Sequence, residues 1–381
     1  MTATLARVEV HVLRTPIRDP VRTSFGIMTE RAAVFVRVED SDGARGWGEI
    51  WCNFPNAAAE HRALLFADVL APRVLGKSLD DPVALWAELD RALHVLRIQS
   101  GDAGAFSSAA AGLDLAVHDL RARKRGLPLW RALGGSDDSA VPVYASGLNP
   151  GRAAYDTVER TRAAGYRAFK IKVGFGEGTD LGSLRPVARE LKGGERLMVD
   201  ANQGWDFRTA CHMVPMLAEF GLGWIEEPLM ADRPVAEWTQ VAAAAPTLLA
   251  GGENMRGASQ FQDAIDCGLF GIVQPDAAKW GGHSGCLPVA RAALAAGRSF
   301  CPHYLGGAIG LLHSLHLLAA VRGPGLLEVD ANPNPLREGL LGDVFAVADG
   351  AVALPGGQGL GLEPDLKPLS NLRSLHLERH A

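Results

Sequence analysis

Hydrophobic and polar positions change rhythm once along this chain. Near its start, Val8-Glu9-Val10-His11-Val12 and Val34-Phe35-Val36-Arg37-Val38 alternate at a period of two, and Asp42-Gly43 supplies a turn ahead of Gly46-Trp47-Gly48-Glu49. This predicts an antiparallel meander. Helical periodicity follows over about 56–75, 82–96 and 106–124, the last closed by Arg125-Gly126-Leu127-Pro128. Residues 1–125 therefore read as an α+β unit.

A second rhythm begins at Val141. Eight short apolar runs start at Val141, Ala168, Leu197, Gly223, Leu248, Gly271, Ser299 and Leu326, at intervals of 27, 29, 26, 25, 23, 28 and 27 residues. Each interval leaves room for a helical crossover between parallel strands. The pattern predicts an α/β fold: a modified (β/α)8 barrel of TIM type over 126–353, carrying the N-terminal α+β unit as a cap. A doubly wound sheet would carry G-x-G-x-x-G after an early strand, and Gly174-Phe-Gly176-Glu-Gly178 has the wrong spacing. The Gly/Pro-rich remainder, 354–381, reads as a segment returning to the cap.

Composition narrows the partners. With 38 basic and 43 acidic residues in 381, the net charge of −5 offers no field for nucleic acid or an anionic membrane. No apolar run approaches the ~18 residues of a membrane span, and the first ten residues resemble no leader peptide. Cys52, Cys211, Cys267, Cys286 and Cys301 are scattered without C-x-x-C, which points to free, buried thiols in a reducing cytoplasm. A small molecule is the expected partner.

Barrel chemistry sits where strands end at the C-terminal face, and here those ends are ionisable: Lys170-Ile-Lys172, Asp200-Ala-Asn202-Gln203, Glu226-Glu227-Pro228, Gly252-Glu253-Asn254, Pro275-Asp276-Ala-Ala-Lys279, Pro302-His303-Tyr304 and Glu328-Val-Asp330. Asp200, Glu226 and Glu253, on three consecutive strands, would repel one another without a cation. Oxygen-only ligation points to Mg2+, with Mn2+ as the alternative. Strand alternation should turn Glu227 away from Glu226. Lys170 and Lys172 share a strand face, so Lys172 reads as a base whose pKa is lowered by Lys170 and the metal. Opposite them, Asp276 would fix the tautomer of His303 and make an acid/base pair. Glu328, if kept protonated, would donate to a bound carboxylate. A metal between two opposed bases suits removal of a proton α to a carboxylate, giving an enediolate. Reprotonation from the other face would be racemisation or epimerisation. Loss of a β-hydroxyl, with His303 as acid, would be dehydration.

These strand ends, with the Gly46-Trp47-Gly48-Glu49 hairpin and the helix over 109–119, resemble the enolase superfamily, and within it the mandelate racemase subgroup of the mandelate racemase/muconate lactonizing enzyme family. The resemblance implies Asp200, Glu226 and Glu253 as metal ligands, Lys172 as base, His303 with Asp276 as the opposing pair, and Glu328 as the carboxylate-binding acid. Lys279 stands where the muconate lactonizing and dipeptide epimerase branches place a base, but having both Asp276 and His303 fits the mandelate racemase pattern. The cap loops, here 20–30 and 50–55, are implied to set specificity. Within or beside them, Arg18, Arg22 and Arg31 would suit a polyhydroxy acid or second carboxylate, and Phe25, Trp51 and Phe54 an apolar group, with Asn202 a further substrate contact. The expected activity is Mg2+-dependent dehydration of a sugar acid to a 2-keto-3-deoxy acid. Racemisation or epimerisation of a 2-hydroxy acid or amino-acid derivative comes second, and sugar-lactone cycloisomerisation is a third outcome of the same first step. Homo-oligomers are common among such proteins. A non-catalytic metal-binding barrel would show a lost base or ligand, and none is missing. A phosphate-binding barrel is a further rival, because Gly306-Gly307 follows the seventh strand.

Overall fold

The computed structural model describes residues 3–151 and 153–381. Three antiparallel strands open it, β1 Leu5–Thr23, β2 Gly26–Asp40 and β3 Arg45–Ile50, and the C-terminal strand Arg373–His380 adds to the other edge of β1. Between β2 and β3, Asp40 Oδ1 accepts from the Asp42 and Ala44 N–H groups at 3.0 and 2.9 Å, and Gly43 takes a φ of 83°. The period-two pattern sets the register, with Val8, Val10 and Val12 opposite Val38, Val36 and Val34. That face is buried against helices Ala58–Leu65 and Ala103–Lys124, with helix Pro82–Ser100 packed on the latter.

The Ala103–Lys124 helix is apolar on nearly every side because it lies between the cap sheet and the barrel. It presses directly on β3. A Cβ on Gly46 would stand 2.2 Å from the Ala116 carbonyl oxygen, and one on Gly48 2.1 Å from that of Gly112. The two glycines of the hairpin are therefore a packing requirement: helix and strand backbones meet with no room for a side chain.

The eight apolar runs form parallel strands: β4 Val141–Leu148, β5 Ala168–Lys172, β6 Arg196–Asp200, β7 Trp224–Glu226, β8 Leu248–Gly251, β9 Ile272–Val273, β10 Ser299–Phe300 and β11 Leu327–Asp330. Ladders run from β11 through β4 to β10. No ladder joins β10 to β11 among the described residues. At that seam the Leu326 N–H donates to Cys301 Sγ at 3.3 Å, and a Cβ on Gly325 would fall 1.8 Å from the Phe300 oxygen, so the edges touch. Inside, Tyr144, Ala168, Met198, Trp224, Ala250, Ile272, Cys301 and Leu326 make an apolar plug, one residue from each strand or, for Cys301 and Leu326, directly beside it. Two residues further along, on the same faces, stand Ser146, Lys170, Asp200, Glu226, Gln274, His303 and Glu328. The ionisable layer is thus floored by hydrocarbon, which gives its charges a low-dielectric boundary.

Not every thiol is buried as expected: Cys52, Cys286 and Cys301 are, whereas Cys211 is half-buried and Cys267 exposed on a helix end. No helix among the described residues is long and apolar enough to cross a membrane.

Candidate active site

Strand register brings the first charged groups together. Lys172 lies beside Asp200, and Asp200 beside Glu226. Lys172 Nζ sits 2.6 Å from Asp200 Oδ2, while the fully buried Lys170 Nζ sits 2.5 Å from Glu226 Oε1 and 2.8 Å from Glu328 Oε1. Asp200 is aimed by the turn that follows it. Asn202 and Gln203 adopt φ of 43° and 62°, a left-handed stretch rare outside glycine. This lets the Asn202 N–H and Nδ2 donate to Asp200 Oδ1 and Oδ2 at 2.7 and 3.1 Å.

On the far side, His303 Nδ1 is 2.8 Å from Asp276 Oδ2, and Asp276 Oδ1 is pinned by the N–H groups of Ala278 and Lys279 at 2.8 and 3.1 Å. His303 Nε2 reaches Glu253 Oε2 at 2.5 Å. Lys279 also enters the site: its Nζ is 2.9 Å from Asn254 Oδ1, 3.6 Å from Glu253 Oε1 and 4.6 Å from the Trp51 ring centre.

Six carboxylates, those of Asp200, Glu226, Glu227, Glu253, Asp276 and Glu328, face four cationic groups, Lys170, Lys172, Lys279 and His303. Charge is short on the positive side. Burial pushes Glu226 up to about 7 against the pull of Lys170, and Asp200 adds to the rise. Burial, with Glu253 and Asp200 nearby, pushes Glu227 well above the carboxylate range. Burial opposes the Lys172 ammonium, but Asp200 and Glu226 together outweigh burial and Lys170 and raise its pKa above the lysine value. The lowered Lys172 pKa expected from the sequence therefore does not hold while Asp200 is its partner. His303 is likewise held well above the histidine range, Glu253 and Glu328 overcoming burial.

Two further expectations change. Glu328 is not the protonated donor anticipated: although burial opposes its charge, Lys170 and His303 draw its pKa down to about 2. Its oxygens accept from Ser146 Oγ and from the Tyr304 N–H at 3.0 Å. Glu227 does not turn away from the cluster. Strand β7 ends at Glu226, Glu227 takes a φ of 40°, and its buried carboxylate accepts from Asn254 Nδ2 at 2.9 and 3.2 Å. The alternation argument fails because the strand stops one residue too soon.

Asp200, Glu226 and Glu253 are near one another without being drawn into one ligating cluster. Among the described residues the group of three or more His, Cys and acid side chains whose ligand atoms all lie within 4.8 Å of one another is that of Glu9, His11 and His376 on the cap sheet. There Arg7 and Arg37 already neutralise Glu9.

The cap residues divide. Trp51 stands between Lys279 and Arg62, whose guanidinium lies 5.4 Å from its ring centre, and Phe54 meets Phe25 edge-on at 5.1 Å. Arg22 docks its N–H on Asn149 Oδ1 at 3.2 Å with its side chain exposed, as is that of Arg18. Arg31 is not free for substrate: it is buried, 2.7 Å from Asp330 Oδ2, bolting cap to barrel. The phosphate reading also fails. The helix Ala308–Val321 that Gly306-Gly307 introduces has its N-terminus filled by Glu49 of β3, which accepts from the Gly307 and Gly310 N–H groups at 2.6 and 2.8 Å.

Sequence reading missed Glu49, Ser146 and Gln274. Gln274 Nε2 donates to Glu226 Oε2 at 2.8 Å, and counting back two residues from Asp276 would have found it. Glu49 had no such signal, its helix lying some 258 residues away in sequence.

A barrel with charged residues at the C-terminal ends of its strands and an α+β cap over that face defines a capped (β/α)8 protein. The chain belongs to the mandelate racemase/muconate lactonizing enzyme family of the enolase superfamily: residues 153–368 match the family model described as enolase C-terminal domain-like, and 6–134 match the mandelate racemase/muconate lactonizing enzyme N-terminal domain. It is 30% identical to a D-galactarolactone cycloisomerase of Agrobacterium fabrum, over 97% of this chain and 98% of that one. It superposes with a TM-score of 0.91 on a mandelate racemase/muconate lactonizing enzyme from Bordetella bronchiseptica, at 50% identity over 98% of this chain and 100% of that one. An L-talarate dehydratase from Polaromonas, solved with Mg and L-glucarate, is 26% identical with a TM-score of 0.84 over the whole of both chains.

Proposed function

We propose that this chain is an enzyme that removes the proton α to the carboxylate of a sugar acid and expels a β-hydroxyl, releasing a 2-keto-3-deoxy acid. The observation that carries the reading is the charge imbalance at the strand ends, where six buried or nearly buried acids face four cations. Two missing positive charges match one divalent cation, and Asn202 Oδ1 and Gln274 Oε1, beside Asp200 and Glu226, are buried acceptors without a protein partner. Asp200, Glu226 and Glu253 would hold the ion. Their oxygen-only donors suit Mg2+, the ion named in the Polaromonas structure. When bound, such a cation supplies positive charge to the carboxylate oxygens where negative charge develops.

The protein's own groups do the proton work. With Asp200 engaged as a ligand, burial and Lys170 are left to disfavour the Lys172 ammonium, and its free amine takes the α-proton. His303 is oriented through Nδ1 by Asp276 and kept charged by its acid neighbours, so its Nε2 proton is available to the departing hydroxyl. Ser146, Lys170 and the Tyr304 N–H hold Glu328 between the two sides. Cycloisomerisation is the second reading, supported by the Agrobacterium relative's match along the whole chain. Racemisation would use the same pair without loss of a hydroxyl.

The test is incubation of the Mg2+-loaded protein in D2O with sugar acids, their lactones, hydroxy acids and amino-acid derivatives. Keto-acid formation would be followed by semicarbazide absorbance, and α-deuterium by mass spectrometry. A keto acid from one diastereomer is the expected result. Deuterium without keto acid would replace dehydration by racemisation or epimerisation. Silence across the set would refute the enzyme reading for these classes.

A further inference from the structure

The two sides of the site are not built alike. Lys170, Lys172, Asp200 and Glu226 make their polar side-chain contacts with one another and with other barrel residues. Among the described residues the cap meets that side at the loops beyond the strands, where Ser24 Oγ donates to the Asn202 carbonyl at 2.7 Å and the Arg22 N–H to Asn149 Oδ1 at 3.2 Å, and makes no hydrogen bond to those four side chains. The loops bearing Asp276 and His303 lean on three alternate residues of cap segment 49–53, Glu49, Trp51 and Asn53, while Ile50 and Cys52 between them are buried in the cap's own core. Glu49 takes the Gly307 and Gly310 N–H groups, four and seven residues beyond His303. The Trp51 N–H donates to the Ala278 carbonyl at 3.3 Å, and the Ala278 N–H in turn is one of the two that pin Asp276. Asn53 Nδ2 donates to the Leu305 carbonyl at 2.6 Å.

Glu49 is the anchor of this arrangement. Its carboxylate is fully enclosed, and it offers both oxygens to a helix start, where unpaired N–H groups and the helix dipole favour negative charge. The fit leaves no slack. A Cβ on Gly307 would lie 2.8 Å from Glu49 Oε1, and one on Gly306 3.1 Å from the same atom. The glycines let the loop backbone close on the cap's carboxylate.

From this we infer that Glu49 is a positioning residue, and that docking of cap segment 49–53 sets the His303–Asp276 pair in place while the Lys172 side assembles within the barrel. The inference rests on the proposed role of His303 as acid. It makes the two halves of the reaction separable: loosening the cap should disable the His303 step and spare α-proton removal by Lys172. A group that merely stabilised the fold would weaken both together.

The experiment uses the full-length, Mg2+-loaded protein with Glu49→Gln and, independently, Gly307→Ala. The first replaces one acceptor with a donor facing an N–H, and the second pushes the loop off the carboxylate. Hydrogen exchange by mass spectrometry would compare residues 303–310 with strands 168–172 and 196–200, and does not depend on activity. Both variants should expose 303–310 and leave the two strands protected. On an acid that the wild type turns over, the His303-dependent step should fall about 100-fold, the scale of a 1 Å misplacement, with Lys172-side deuterium incorporation at the wild-type rate. Unchanged protection of 303–310 in both variants would overturn the inference, as would equal loss of the two steps. If the wild type acts on no acid tested, the proposed function falls, and the amide-exchange comparison still decides whether Glu49 orders the loop.

Discussion

His316→Gln should remove part of the acid sensitivity of the folded state. His316 lies in the Ala308–Val321 helix with no solvent exposure. Its Nδ1 accepts from the Trp130 N–H and its Nε2 donates to the Leu360 carbonyl, each at 3.2 Å. Both bonds together require the neutral ring. Burial lowers its pKa to about 4, the Leu360 carbonyl pulling the other way, whereas the unfolded chain titrates near 6.5. Between these values the unfolded state binds a proton that the folded state refuses, so the contribution is lost as pH falls through that window. Two pH limits fix the size: at pH 7 the penalty is small, and at pH 5 it is about 2 kcal/mol, from about 1.4 kcal/mol per pH unit. Glutamine keeps one donor and one acceptor and does not titrate. Burial gives Glu49 and Asp119 raised values, about 7 and about 6, which act in the opposite direction but are common to both proteins and cancel in the comparison. Urea unfolding at pH 7 and pH 5, at constant Mg2+, should show the wild type losing about 2 kcal/mol more than the variant. Parallel losses would refute the reasoning.

Other perturbations test different parts. Gly48→Ala places a Cβ 2.1 Å from the Gly112 oxygen and should lower stability by about 1–3 kcal/mol, the usual cost of overpacking, read from the urea midpoint. Arg31→Met strands the buried Asp330 carboxylate and should cost about 3–5 kcal/mol; an unchanged midpoint would show that Arg337 suffices, its Nη1 lying 3.9 Å from Asp330 Oδ2. Glu226→Gln should lose Mg2+ binding by calorimetry together with activity, and an active metal-free variant would sink the metal assignment. Lys172→Met should slow α-deuterium incorporation by about 100- to 10,000-fold, the range for a general base, while leaving Mg2+ affinity measurable.

The pairing of Lys279 with Glu253 and Asn254 gives that lysine a place in the site that its residue type and strand did not settle. It sits on the same side as His303 and against Trp51, so the cap loop, a barrel cation and a carboxylate meet at one point.

Local pattern determined the skeleton of this protein. Alternating Val8 to Val12 and Val34 to Val38 could bury a single sheet face, and runs of four or five apolar residues at helix-length intervals could satisfy their backbones only as parallel strands with crossovers. The same periodicity placed Lys170, Asp200, Glu226 and Glu328 on inward faces, because side-chain direction in a strand follows from counting by two. Counting failed where the strand ended, as at Glu227, whose left-handed backbone turned it back into the cluster. Ionisation states were beyond its reach as well, since whether Lys172 or Glu328 holds a proton depends on which distant groups share its enclosure. Contacts across long sequence separations came only with tertiary structure: Arg31 on Asp330, Glu49 on the helix after His303, and the register in which the returning C-terminal segment pairs with β1. No periodicity encodes these, because each depends on two backbones meeting at one place, and only the packed chain specifies where.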